Sequence, residues 1–271
     1  MRKSFWLAGA AILAVAFPNV ASAASGYVGA GYDNGSLKLG GLGSADFDGW
    51  SADGAVAFDA GNMGITGLGV QIGASYDDHS FDLAGGVKST EVDAHLYRRG
   101  ATWQWGGGVA YTSSPVKLIG STTIDTWAVA GEAKYFMPKV TLGGSVSYSD
   151  ASPNSSSSDV TSWRGAADGT FFVTDNISLK GGLGYDSLDL SGTSGHAWDL
   201  SVGAEYQLSS VPISIYGGYT GDRADIGGKL DVDYFSIGAR WNFGGGTLLS
   251  RNRSGANLDH LSGPYERIFG G

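Results

Sequence analysis

The chain has 271 residues, a formal net charge of −9 and no cysteine, which excludes disulfides and a lipidated N-terminal cysteine. Glycine is abundant (46), proline is scarce (6) and aromatics reach 12%, a balance that suits many short strands better than helices. Loss of Arg2 and Lys3 with a leader would take the charge to −9 − 2 = −11, which argues against nucleic acid, whose affinity rests on clustered Lys and Arg.

Residues 1–23 read as a secretory signal peptide. Arg2 and Lys3 precede the apolar run Leu7 to Phe17, which ends at Pro18 and is followed by Ala21-Ser22-Ala23-Ala24. Charged start, short apolar core and small residues at the end are the marks of such a leader, with cleavage expected after Ala23 or Ala24. The run is too short for a membrane helix, which takes about 20 residues. No later run is long enough either, so any membrane span must be built from strands.

From residue 24 onward a repeat appears. Six segments end in a tyrosine preceded by alternating small and apolar residues: Tyr32, Tyr76, Tyr111, Tyr148, Tyr185 and Tyr219, spaced 44, 35, 37, 37 and 34 residues apart. Between them lie segments that start on an aromatic: Trp50, Trp127, Trp163, Trp198 and Phe235. The unit is a hairpin, and the alternation predicts twelve strands at about 26–33, 48–59, 65–77, 90–99, 101–112, 121–136, 139–149, 160–173, 177–188, 195–208, 212–220 and 230–243.

Successive strand side chains point to opposite faces, so the pattern also assigns an outside and an inside. Leu68, Val70, Ile72, Ala74 and Tyr76 share one face, as do Trp127, Val129, Gly131, Ala133 and Tyr135, and Trp198, Leu200, Val202, Ala204 and Tyr206. An apolar face bounded by aromatics is what lipid contact requires. The expected girdle is Tyr32, Trp50, Tyr76, Tyr111, Trp127, Tyr148, Trp163, Tyr185, Trp198, Tyr219, Phe235, Trp241 and Phe243. The opposite face carries Gly, Ala, Ser and Thr with scattered charges: Asp53, Asp59, Asp93, His95, Arg99, Glu132, Lys134, Arg164, Asp168, Lys180, Asp186, Asp199, Glu205 and Arg240. The fold class is therefore all-β, a transmembrane antiparallel up-and-down barrel of about 12 strands over 24–243. Short connections follow the even strands, and longer Ser/Gly/Asp-rich ones such as 33–47 and 150–159 follow the odd strands. That asymmetry predicts periplasmic termini.

The leader, the alternating strands and the terminal segment Ser236-Ile237-Gly238-Ala239-Arg240-Trp241-Asn242-Phe243 resemble the small porin-like outer-membrane proteins of proteobacteria. The resemblance implies a place in the outer membrane, contact with its lipid and lipopolysaccharide, and recognition of the last strand by the barrel-insertion machinery. Where such barrels often stop at the terminal aromatic, this chain continues through a Gly-rich tail, 244–271, expected to hang in the periplasm as a disordered extension or as a contact for a periplasmic partner. The expected function is a narrow passive pore for small solutes or ions. The alternatives are a structural, envelope-tethering barrel, or a rim hydrolase of the omptin type built on Asp46, Asp48, Asp77 and His79, with Asp77 and His79 sharing one strand face. His95 reads as part of a lumen ion-pair network. Four scattered histidines without cysteine predict neither a metal site nor a cofactor.

Overall fold

A computed structural model of the chain describes residues 24–41, 43–59, 67–82, 85–117, 121–154, 159–190 and 192–261. The proposed leader lies outside the described residues. Twelve strands run β1 (Ala24–Leu39), β2 (Gly43–Asp59), β3 (Leu68–Phe81), β4 (Gly86–Arg99), β5 (Trp103–Val116), β6 (Thr122–Met137), β7 (Val140–Pro153), β8 (Val160–Thr174), β9 (Ile177–Leu190), β10 (Thr193–Gln207), β11 (Ile213–Asp225) and β12 (Lys229–Phe243). Each pairs antiparallel with its sequence neighbour, and β1 pairs with β12 to close the barrel, Gly31 opposite Gly238 and Tyr32 opposite Ile237. Closure leaves no free edge, the condition for a sheet to cross a bilayer.

The faces follow the alternation. Trp50 is 66% exposed and Phe235 67%, both outward, whereas their neighbours along the strand point into the lumen. Ring pairs meet edge-on or tilted across adjacent strands at one level: Tyr32 with Trp50, Tyr111 with Trp127, Tyr148 with Trp163 and Tyr219 with Phe235, with centroids 5.0, 4.7, 5.2 and 5.2 Å apart. The other belt holds Trp241 and Phe243, joined by Trp103, Trp105, Tyr135, Phe171 and Tyr206. Trp127 to Tyr135 is roughly 27 Å of strand, or about 21 Å of height at the usual tilt, close to the apolar band of an outer-membrane barrel.

The strands are longer than the sequence pattern predicts, and the difference lies at one end. Most of 33–47 is strand, with Gly35 opposite Phe47 and Leu37 opposite Ala45, and β7 continues through Pro153. Composition suggested loops there, but cross-strand pairing decides strand identity more than intrinsic preference does. Strands of 13–17 residues exceed the 9–11 that a bilayer needs, so they stand out beyond the Tyr/Trp belt. At this end, called the loop end, the connections shrink to 40–42, 82–85, 117–121, 154–159, 191–192 and 226–228. The asymmetry in connection length is therefore replaced by an asymmetry in strand extension.

The described part of the tail, 244–261, departs from the expected disordered extension. Gly244, Gly245 and Gly246 all take positive φ (87°, 77° and 86°), a run open to residues without a Cβ, and reverse the chain at the end opposite the loops, called the turn end. A short helix α1 (Leu248–Ser254) follows, with Thr247 and Ser250 forming a reciprocal cap. Residues 255–261 then run up into the barrel. The described part of the tail does not hang free; the small inward residues of the wall leave it room.

Candidate functional site

The lumen has three levels. At the turn end the tail fills it. Gln71 on β3 brackets the tail backbone: its Nε2 donates to the Leu258 carbonyl at 2.7 Å, while its Oε1 accepts from the Asn257 and Leu258 N–H groups at 3.0 and 3.1 Å. Arg99 donates to the Gly255 carbonyl at 2.8 Å and to Asn257 Oδ1 at 3.1 Å, and Gln104 exchanges hydrogen bonds with the Asn257 amide. Lys134 donates to the Asn257 carbonyl and lies 3.8 Å from Asp259, and Lys180 donates to Asp259 at 2.6 Å. The Asp259 carboxyl would be raised by burial, but the ammonium groups of Lys180 and Lys134 hold it well below the usual carboxylate range. His260 bonds Asp93; burial opposes its protonation, yet the Asp93 and Glu91 carboxylates outweigh that and raise it. On α1, Arg253 donates to the Met137 and Val140 carbonyls and lies over the Phe136 ring, and Thr141 donates to Asn252.

At mid-height most of the remaining lumen charges pair with one another. Arg164 bridges Asp186 at 2.7 Å and Asp199 at 2.6 Å. Arg240 pairs with Asp53 at 2.9 Å, lies 3.7 Å from Glu205, and sits between the Tyr27 and Tyr216 rings. His95 links Asp93, at 2.9 Å, to Glu132, at 2.6 Å. Water-accessible spaces among the described residues include one of about 530 Å³ lined by Tyr27, Glu205, Tyr216, Arg240 and Asn252, and one of about 240 Å³ beside Arg164, Asp168, Lys180 and His260.

Toward the loop end, Asp33, Asp77, Glu91 and Asp222 are buried and point inward, Glu91 at the height that His260 of the tail reaches. Beyond them Leu37, Phe47, Phe81, Val87, Leu188, Ala197, Ala224, Leu230 and Val232 meet across the barrel in an apolar cluster. Among the described residues, side chains of the barrel's own strands fill the lumen there.

All the lumen charges expected from the alternation point inward, except that the side chain of Asp59 lies outside the described residues. They do not line an open pore: Asp93, Arg99, Lys134 and Lys180 hold the tail, and Asp53, Arg164, Asp186, Asp199, Glu205 and Arg240 pair among themselves. The sequence reading placed Gln71 on the inner face without giving it a role and missed Tyr27, Glu91, Gln104 and Tyr216, which the same period-2 count places inward. The rim group is not assembled. Asp77 and His79 share the inner face, as the alternation places Asp77, and both are buried there, with His79 3.4 Å from Asp33. Asp46 and Asp48 point outward, and Asp48 accepts from the Tyr32 hydroxyl.

A closed antiparallel barrel with an apolar exterior between two aromatic belts and a polar interior defines an integral β-barrel of the cell outer membrane. The chain belongs to the outer membrane protein beta-barrel domain family, whose model matches residues 63–243. Solved structures of similar fold include an outer-membrane channel from Pseudomonas putida F1 (17% identical, covering 81% of this chain and 95% of that one, TM-score 0.57). They also include the translocator domain of the autotransporter NalP from Neisseria meningitidis (10%, 88% and 95%, 0.54) and the beta domain of the Bordetella autotransporter BrkA (13%, 81% and 100%, 0.50). A comparison with curated proteins gives no match.

Proposed function

We propose that the protein is a narrow channel for small, preferentially cationic solutes, and that its resting state is closed by its own tail. The observation that carries this reading is the way the tail fills the turn end. It is held chiefly through side-chain hydrogen bonds and ion pairs in a polar lumen, with Leu248 and Leu258 its buried apolar contacts, so it can leave without destroying the wall. The inward carboxylates Asp33, Asp77, Glu91 and Asp222 favour cations over anions at the loop end. The apolar cluster above them forms a second constriction in series, of the kind that passes ions when it hydrates. The start of β1 at Ala24 and the end of β12 at Phe243 lie at the turn end, which in this reading faces the periplasm. The alternative of a permanently sealed structural barrel draws its support from that same apolar cluster.

Planar-bilayer recording decides between them. The full chain should be silent or show brief openings. A chain carrying Asp259→Lys, which faces Lys134 and Lys180 with a like charge, together with Phe47→Ser and Phe81→Ser, should give steady cation-selective steps. Silence of that variant, once its heat-modifiable gel mobility shows a folded barrel, overturns the channel reading in favour of the sealed barrel.

A further inference from the structure

Where the tail meets β4, the fold assembles a donor set that neither segment holds alone. One carboxylate oxygen each from Glu91 and Asp93 and one ring nitrogen of His260 lie within 4.8 Å of one another. Glu91 and Asp93 are 2% and 4% exposed, and His260 comes from 167 residues further along the chain. We propose that Glu91, Asp93 and His260 bind a divalent first-row transition ion, which fastens the tail to the barrel wall.

Orientation is the first argument. Asp93 Oδ1 is occupied by His95 Nε2 at 2.9 Å, and His95 Nδ1 is held by Glu132 at 2.6 Å, so Asp93 presents Oδ2 to the tail. Glu91 Oε2 accepts from the Thr112 hydroxyl at 3.4 Å, and its Oε1 faces His260 Nδ1 at 3.7 Å. Ligands whose second atoms are held by a carboxylate–histidine relay or a hydroxyl are the usual surroundings of a metal centre. Charge is the second. Glu91, Asp93 and Glu132 place three carboxylates against two imidazoles, and one oxygen each of Glu91 and Asp93 faces His260 Nδ1. A cation at the same point serves both and offsets the cost of burying them. The donor type is the third: two carboxylates and an imidazole suit zinc and its neighbours, whereas calcium wants six to eight oxygens. The 240 Å³ space against His260 leaves room for water to complete the coordination.

The test is a zinc titration of the full chain, refolded in detergent micelles, against a competing chromophoric chelator. One Zn²⁺ per chain is expected, with neither Mg²⁺ nor Ca²⁺ competing at equal concentration, and zinc should slow proteolytic release of the tail at least tenfold. His260→Ala and Asp93→Asn should lose binding by at least a hundredfold. Glu132→Gln, which acts through His95, should weaken it about 10–100-fold. His196→Ala, on the outer face of β10, should bind as the native chain does. His260→Cys is the decisive variant: a thiolate cannot replace an imidazolium between two carboxylates, but it ligates zinc, so zinc should restore tail protection there. Absence of stoichiometric zinc binding, native affinity in His260→Ala, or binding that leaves tail proteolysis unchanged would each overturn the proposal. No conductance enters the measurement, so the result stands apart from the channel reading.

Discussion

Gln71 and Leu258 form a two-way pairing, the glutamine amide standing in for the edge of a strand: Nε2 donates to the Leu258 carbonyl at 2.7 Å and Oε1 accepts from its N–H at 3.1 Å. Gln71 is 1% exposed and Leu258 4%, so neither side can turn to bulk water. Gln71→Ala takes the partner from three backbone groups of the tail, two of them buried, at a cost of about 1–3 kcal/mol. A loss of about 2 kcal/mol is roughly a 30-fold rise in the undocked population of the tail. Limited proteolysis of folded barrels should show the C-terminal segment cut correspondingly faster, with the wall intact. An unchanged rate would mean that the tail is held elsewhere.

The reversal at Gly244 and Gly245 separates two effects of adding a methyl group. At Gly245 a Cβ meets nothing within 4 Å, so Gly245→Ala costs only the positive φ, about 1–2 kcal/mol. At Gly244 a Cβ would sit 2.6 Å from Ser25 Cα and 2.7 Å from the Ala24 carbonyl, backbone that β1 pairing holds in place. Gly244→Ala should therefore displace the tail far more than Gly245→Ala does. The check is tail cleavage in both variants beside their heat-modifiable mobility, and equal cleavage would remove the steric account.

The wall was legible because its determinants are local. Trp127 and Tyr135, or Trp198 and Tyr206, state the height of the apolar band within eight residues of one strand, and the alternation between them states which face is wet. The strand extensions were not legible. Asp33-Asn34-Gly35-Ser36 has the composition of a loop, and only the partner strand, with Phe47 opposite Gly35, makes it a strand. The docked tail was hidden for a stronger reason. Gln71, Arg99, Gln104, Lys134 and Lys180 come from β3, β4, β5, β6 and β9, and their common target, 255–261, lies 79 to 187 residues away along the chain. Four histidines scattered in sequence gave no sign that His260 would reach Asp93.

Arg164 is the linchpin of the mid-lumen. Its guanidinium holds both Asp186 and Asp199, and its side chain is 15% exposed. Arg164→Met leaves two inward carboxylates facing each other without a cation, and breaking a buried pair from one side costs about 3–5 kcal/mol. The triple variant Arg164→Met, Asp186→Asn, Asp199→Asn removes the charge altogether and should recover most of the loss. Urea unfolding from micelles, read by tryptophan fluorescence, gives both numbers. Equal stability of the single and triple variants would show that packing, not charge, dominates at this site.

The β11–β12 tip beyond the aromatic belt should loosen in acid. Burial would raise the Asp233 carboxyl, but hydrogen bonds from the Tyr219 hydroxyl and the Arg223 guanidinium, with the charges of Arg223 and Lys38, bring it below its ordinary value. Asp231, 3.7 Å from Arg223, shares the same cation. A carboxylate whose folded value is depressed stabilises the fold fully above its unfolded value, about 3.9, and loses that contribution as pH falls through the folded value. Protection of the Val232 and Asp233 amides, corrected for intrinsic exchange, should thus be flat from neutral pH to about 5 and fall below about 4. Asp233→Asn should show low protection throughout and little further fall, because the group that titrates is gone. The effect is confined to the tip, since the tip stands clear of the bilayer while the belt of Tyr219 and Phe235 below it stays anchored by lipid. A fall that spreads equally to β5 and β6 would assign the acid sensitivity to the lumen instead of the tip.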